Sequence, residues 1–311
     1  MNMDKIMNFT GYIESPKDDR DFKLSKVNDL IKGVGVADPI PTVFMPDYSE
    51  IPTYHQHKQP SCIGHAVTWI ANYYEWIEKE ALDHLSPRFI YALCKRDDGY
   101  PDQDGTFYRI GLKQLKNQGV PKDHLFPNNT DLDRATYNNT KLIDGVAYEE
   151  AEHRRIKSYV QADDKSFNGL KRAIYEHKVV LLALDVGPNM YTDRFGNTSW
   201  KEKDILPLRV PTIIESGHAV VAIGYDENYI YFKNSWGFEW GSQKQAPGVG
   251  FFSKNYENYI KEAWVSVDLP NEVIEELKKA QLSLIELLKQ WIAELTEKLK
   301  NTGKAIGKFF G

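Results

Sequence analysis

The sequence predicts an α+β protein of two lobes, and three observations carry that reading. Up to about residue 155 the apolar residues recur mainly at helical spacing, whereas beyond it they gather into short strand-like runs. A polar loop, Gln56 to Ser61, leads straight into a helix-periodic stretch that begins at Cys62. In the second half, Gly217-His218-Ala219 opens an apolar run, so a candidate thiol and a candidate base fall in different lobes. Ligand sites favour such boundaries.

Taken in order, residues 1–44 form a polar N-terminal extension, with Ser15-Pro16-Lys17-Asp18-Asp19-Arg20-Asp21 as loop and Val27 to Ile31 as a short helix. The extension is short and is expected to stay on the chain. Ile40 to Ile51, punctuated by Pro41 and Pro46, reads as extended and edge-like. From Cys62 onward Ala66, Trp69, Ile70, Tyr73, Trp76 and Ile77 mark one buried helix face, with Ser61 as the expected cap. Leu85-Ser86-Pro87 is a helix-start signature, and a second helix is expected over Asp83 to Arg96. The acidic run from Asp97 to Gly105 lacks the spacing of a calcium loop and is read as a turn-rich connection. A third helix spans Tyr108 to Gln118, stopped by Gly119. Residues 121–145 read as loop.

Strands are expected to begin within Val146 to Tyr159, followed by a helix at Phe167 to His177. Val179 to Val186 is a continuous apolar run of the kind buried on both faces. His218 to Tyr225, Tyr229 to Asn234, Val249 to Ser253 and Ala263 to Val267 complete the set, and Pro188 to Pro207 is a polar loop expected to rim the cleft. After Pro270 the pattern changes again. Asn271 to Lys300 is amphipathic, with Ile274, Leu277, Leu284, Leu288, Trp291 and Leu295 near heptad spacing, and Lys304 to Gly311 is a small cationic apolar tip.

A net charge of −5 and a pI near 5.9 argue against nucleic acid as a partner. The opening residues lack an apolar core of signal-peptide length, and no run reaches the length of a membrane span. The expected location is therefore the cytoplasm. Only Cys62 and Cys94 are present, which fits a reducing compartment without a disulfide framework. Cys94, in the apolar stretch Phe89 to Cys94, reads as an inert buried thiol.

Cys62 sits where a helix N-terminus would favour the thiolate and where unpaired backbone N–H groups can hold an oxyanion. Gln56 can add a side-chain N–H from the loop before it, although Gln59 is closer in sequence. His218 supplies a base, and Lys233-Asn234-Ser235-Trp236-Gly237 sets an amide beside an indole. His55, His57, Cys62 and His65 match no standard zinc spacing, and no metal or other cofactor is expected.

With these residues the chain resembles the papain-like cysteine peptidases, in particular relatives without disulfides. The resemblance rests on Gln56 before Cys62, Ala66 after it, the Gly-His-Ala strand, and the Lys-Asn-Ser-Trp-Gly turn followed by Trp240-Gly241, in that order. Softer matches are Leu85-Ser86-Pro87, Gly105-Thr106, Gly119-Val120 and Leu125-Phe126-Pro127. It implies a catalytic domain over 45–269, with a helical left lobe (about 54–155), an antiparallel strand-rich right lobe (about 156–269, with the 45–53 strand), and a separate helical tail over 270–311.

By that resemblance Cys62, His218, Asn234 and Gln56 are catalytic, with Asn234 orienting His218 and Trp236 shielding their hydrogen bond. Gly105, Thr106, Gly217 and Trp236 are expected along the substrate, an extended polypeptide. Ile63 stands where an aromatic residue is frequent, and Thr106 replaces a second glycine, narrowing that wall. Two alternatives remain: an amide hydrolase or acyl transferase on a non-protein substrate, and an idle module serving assembly. The C-terminal helix is expected to bind its own chain, another copy or a larger assembly, in preference to a membrane surface.

Overall fold

The computed structural model describes residues 11–31, 39–78, 82–187, 207–241 and 247–267. The chain divides into two compact units, Met1–Asp268 and Leu269–Gly311. The second unit, and with it the amphipathic tail, lies outside the described residues, as does nearly all of the expected rim loop.

The helical half holds α1 (Leu24–Ile31), α2 (Cys62–Ile77), α3 (Pro87–Asp97), α4 (Tyr108–Asn117), α5 (Arg134–Tyr137) and α6 (Gly145–Ala151). The second half adds β1 (Ser158–Gln161), α7 (Phe167–His177), β2 (Val180–Val186), β3 (Ser216–Tyr225), β4 (Tyr229–Lys233), β5 (Val249–Ser253) and β6 (Ile260–Val267). The strands form one antiparallel sheet in the order β1-β6-β2-β3-β4-β5. The α+β expectation holds, with helices and an antiparallel sheet in the predicted halves.

α2 is nearly all buried and packs against α3, α4 and β3, so it is the spine joining the halves. Its outer aromatic face meets Tyr48, whose ring stands edge-on to Trp69 at 5.8 Å and to Trp76 at 5.2 Å. Every residue of β2 is buried, as its unbroken apolar run requires.

Five sequence expectations are corrected. Residues 45–53 form no strand: the sheet is met only by the isolated Phe44–Tyr225 bridge just before them, and Pro46 and Pro52 withhold ladder N–H groups. Ser61 takes the position before α2, yet its side chain accepts no helix N–H; Tyr137 Oη donates to its Oγ at 3.3 Å. α3 begins at Pro87, where Ser86 Oγ accepts from Phe89 N at 3.1 Å, so capping chemistry and not the preceding apolar residue sets the start. Residues 145–151 are helix instead of strand, because Asp144 caps them by accepting from Val146 N at 2.9 Å. The stretch read as loop over 121–145 carries α5 and two 3₁₀ turns, Asp123–Leu125 and Thr140–Leu142. Asp133 and Asn139 cap α5 and the second turn, local chemistry that periodicity cannot register.

The acidic 97–105 loop has an internal cation. Lys95 Nζ, buried, donates to Asp98 Oδ2 at 2.8 Å, Tyr100 O at 2.6 Å and Gly105 O at 2.9 Å. An ammonium of the chain itself thus satisfies acceptors that the composition left open.

Candidate active site

Cys62 is the first residue of α2 and is fully buried. The loop before it is tied to the Asn-Ser-Trp-Gly turn by short antiparallel pairing. Gln56 N donates to Ser235 O at 2.8 Å, Gly237 N to Tyr54 O at 2.9 Å, and His55 bridges Trp236. Segments some 180 positions apart are thereby held in one register, and Ser235 Oγ adds a bond to Gln56 Oε1 at 2.6 Å. The other end of that amide faces Gln59 O at 3.0 Å, and because a carbonyl only accepts, the facing atom is Nε2. Gln59 is turned away. Its Nε2 donates to Thr130 O at 2.9 Å and Leu132 O at 2.8 Å, which uses both of its hydrogens.

His218, the third residue of β3, is fully buried, and its Nε2 lies 2.7 Å from Asn234 Oδ1. Ser235 N also donates to that oxygen at 2.8 Å, so it is the oxygen that faces the ring and Nε2 must carry the hydrogen. A neutral imidazole in this tautomer keeps its lone pair on Nδ1, and Nδ1 has no hydrogen-bond partner among the described residues. Trp236 stacks on the imidazole with ring centres 4.6 Å apart and planes at 20°. Burial pushes His218 down to about 4, opposed by the bond to Asn234.

Residues 11–15 lie in the cleft between these groups. Gly11 N donates to Cys62 Sγ at 3.1 Å. Tyr12 pairs with Thr106 in a parallel bridge, with Thr106 N to Gly11 O at 2.9 Å and Ile13 N to Thr106 O at 2.7 Å. Glycine is required at both contact points. A Cβ on Gly11 would stand 1.7 Å from Pro60 O, and one on Gly105 (φ +84°) would stand 2.8 Å from Gly11 O. Gly217 faces the same segment, where a Cβ would meet Tyr12 Cδ1 at 2.2 Å. Gly105, Thr106 and Gly217 thus line a path followed by extended chain, the chain's own.

This cover reverses one sequence expectation. A helix N-terminus favours thiolate, but here burial pushes the Cys62 thiol up to about 11. The N–H groups of Ala219, Gly11, Ile63 and Cys62 itself oppose the shift without overcoming it. Desolvation wins, because the charged form loses more from burial than these N–H groups return. Cys94 is likewise a free, buried thiol, in α3.

Residues Gly11 to Ser15 and Glu262, on which that segment is anchored, were not singled out from sequence. Glu262 is the third residue of β6, and only an acid directly before the apolar Ala263-Trp264-Val265 marks it.

The site has a histidine-amide pair beneath an indole, a cysteine at a helix start and a glutamine on the preceding loop. Residues 51–248, well over half of the 311-residue chain, match the family model described as papain family cysteine protease. The chain belongs to the papain family of cysteine proteases. Among similar solved structures is xylellain, a cysteine protease from Xylella fastidiosa, at 22% identity and TM-score 0.65, covering 84% of this chain and 97% of that one. A digestive procathepsin L2 proteinase from Tenebrio molitor larval midgut gives 20% identity and TM-score 0.62, covering 86% and 81%. The Carica candamarcensis cysteine protease CMS1MS2, solved in complex with E-64, gives 17% identity and TM-score 0.52, covering 74% and 100%. At these identities the structures show the shared fold. No curated protein matches the sequence significantly. The family makes this chain a hydrolase of the cysteine-protease type, with polypeptide as the family's substrate.

The buried histidines have a measurable consequence. Burial lowers both His65 and His218 to about 4, from an ordinary value of 6.5. The unfolded chain therefore binds more protons between those values, and stability rises with pH across that window. What the two neutral imidazoles contribute is fully present above about 6.5 and is lost as pH falls toward 4. At pH 5 the expected loss is on the order of 2 kcal/mol per histidine. Urea unfolding at pH 7.5 and pH 5 reads it, and equal midpoints at the two values would show that neither ring is held neutral.

Proposed function

We propose that the chain hydrolyses peptide bonds through Cys62, His218 and Asn234, with Gln56 as an oxyanion donor. The observation that carries the reading is the His218–Asn234 pair, which fixes the hydrogen on Nε2 and leaves the Nδ1 lone pair as a proton acceptor. The backbone of Ala219, the next residue along β3, is among the groups that favour the charged form of Cys62, which supports His218 as the base serving that thiol.

In the reaction Nδ1 takes the thiol proton while sulfur attacks the substrate carbonyl carbon. The carbonyl electrons move to oxygen, and that oxyanion is held by Gln56 Nε2 and the backbone N–H of Cys62 at the helix start. Collapse breaks the C–N bond, and the imidazolium returns the proton to the leaving amine. Water, deprotonated by His218, then cleaves the thioester and restores the thiol. Trp236 keeps water from the His218–Asn234 bond, where a low dielectric strengthens it. Thr106 offers its N–H and C=O to an extended substrate, as it does to residues 11–13.

Residues 11–15 hold the enzyme latent. They present an N–H to Sγ where a substrate must present a carbonyl carbon, so the segment occupies the cleft without being in line for attack.

Fluorogenic peptide turnover, measured in a chain carrying Gly11→Leu to displace the cover, tests the assignment. Cys62→Ala is expected to remove it, and Gln56→Ala to lower it by about 10²-fold or more, as loss of one oxyanion donor does. A loss of that size from Gln59→Ala, with Gln56→Ala unaffected, would place the donor on the wrong glutamine.

A further inference from the structure

One face of α3 carries two polar side chains that the reaction does not use, Tyr91 and Lys95, four residues apart and both buried. They hold Gly105 from both sides. Gly105 N donates to Tyr91 Oη at 3.1 Å, and Lys95 Nζ donates to Gly105 O at 2.9 Å. The other two ammonium hydrogens go to Asp98 Oδ2 at 2.8 Å and Tyr100 O at 2.6 Å, so the donor set is complete. Asp98 Oδ1 in turn accepts from Tyr100 N at 2.8 Å, which fixes the carboxylate beneath the ammonium.

Gly105 O and Thr106 N belong to one peptide plane, and in a trans peptide they point in opposite directions. The oxygen is on the ammonium, so the N–H faces the cleft, where it donates to Gly11 O at 2.9 Å. Gly105 sits at φ +84°, and a glycine offers little steric resistance to rotation of the plane that follows it. Left unheld, that plane can turn over, carrying the Thr106 N–H out of the cleft and a carbonyl into it. A cation on the carbonyl also polarises the amide, which strengthens its N–H as a donor.

We propose that Lys95, supported by Tyr91, is a positioning residue for substrate. It fixes the 105–106 peptide plane with its N–H toward the cleft, and so sets the backbone pairing on which an extended peptide is aligned for attack by Cys62. This rests on the peptidase assignment above. Lys95 touches neither the substrate nor the reacting atoms, and its effect is confined to substrates long enough to pair with Thr106. An acetyl ester that reaches Cys62 without a backbone amide is indifferent to it.

The test uses the full chain carrying Gly11→Leu and two substrates: a blocked tripeptide coumarin amide, which pairs along Thr106, and p-nitrophenyl acetate, which cannot. Lys95→Met is expected to lower kcat/KM for the peptide by at least about tenfold, chiefly by raising KM, and to change that for the ester by less than about twofold. Because Lys95→Met leaves Asp98 without its counter-charge, Tyr91→Phe, which removes one acceptor and no charge, is read beside it. There the peptide-selective loss should be about threefold. If Lys95→Met does not fold, the Tyr91→Phe comparison decides. Equal losses on peptide and ester, or no loss on either, would overturn the assignment while leaving the peptidase standing. Hydrolysis of neither substrate by the Gly11→Leu chain would remove the peptidase reading and this one with it.

Discussion

Gly11→Leu is expected to raise the alkylation rate of Cys62 at pH 7 by at least about 10²-fold. With the thiol at about 11, only about one part in 10⁴ is thiolate at neutral pH. A cysteine at its ordinary value near 8.5 has a few per cent, and the helix start favours still more once water returns. The substitution acts by sterics: no side chain fits at residue 11 with Pro60 O 1.7 Å from its first carbon. A brief iodoacetamide pulse with mass mapping reads the outcome, and Cys94 serves as an internal control. That thiol, in α3, is also pushed well up by burial, with the charges of Asp98 and Asp97 adding to the shift. In the unaltered chain the labelling rate should climb about tenfold per pH unit from 7 toward 10, because the thiolate fraction does. Displacement of the segment without faster labelling would mean that the fold itself, and not the cover, keeps the thiol neutral.

The second large effect is on turnover. In the uncovered chain, His218→Ala should lower peptide hydrolysis by about 10⁴-fold, since proton removal from sulfur and proton delivery to the amine both fail. Asn234→Ala should cost less. It leaves the base in place and removes only the acceptor that pins the hydrogen to Nε2 at 2.7 Å. Some rings then present N–H instead of a lone pair to the sulfur, so the loss should fall mainly on kcat. Turnover by His218→Ala equal to that of the unaltered chain would end the assignment of His218 as base.

Much of the site was legible because it is written in short local patterns. A polar loop followed by helical periodicity put Cys62 at a helix start, and a histidine before an apolar run put His218 at the start of β3. Both are consequences of backbone periodicity, which near neighbours in the chain control. Where the reading failed, competing local bonds decided. The Asp144 cap turned 145–151 into helix, and the Lys95 ammonium gathered the acidic loop. The choice between Gln56 and Gln59 is of another kind. Both are glutamines of one loop, and only the carbonyls of Thr130 and Leu132, about seventy positions away, turn Gln59 aside.

By itself the sequence determined the α+β class, the buried helix behind Cys62, the all-buried strand β2, and which residues of the site are chemically capable. Those properties depend on side-chain chemistry and on repeat distances of 3.6 and 2.0 residues, both readable along a chain. Tertiary structure alone decided that residues 11–15 lie on the sulfur, that burial overrides the helix N-terminus at Cys62, and that Glu262 ends up facing Tyr12, 250 positions away. Protonation at the site depends on which groups exclude water from one another. That exclusion is set by contacts distant in sequence, and no local pattern encodes it.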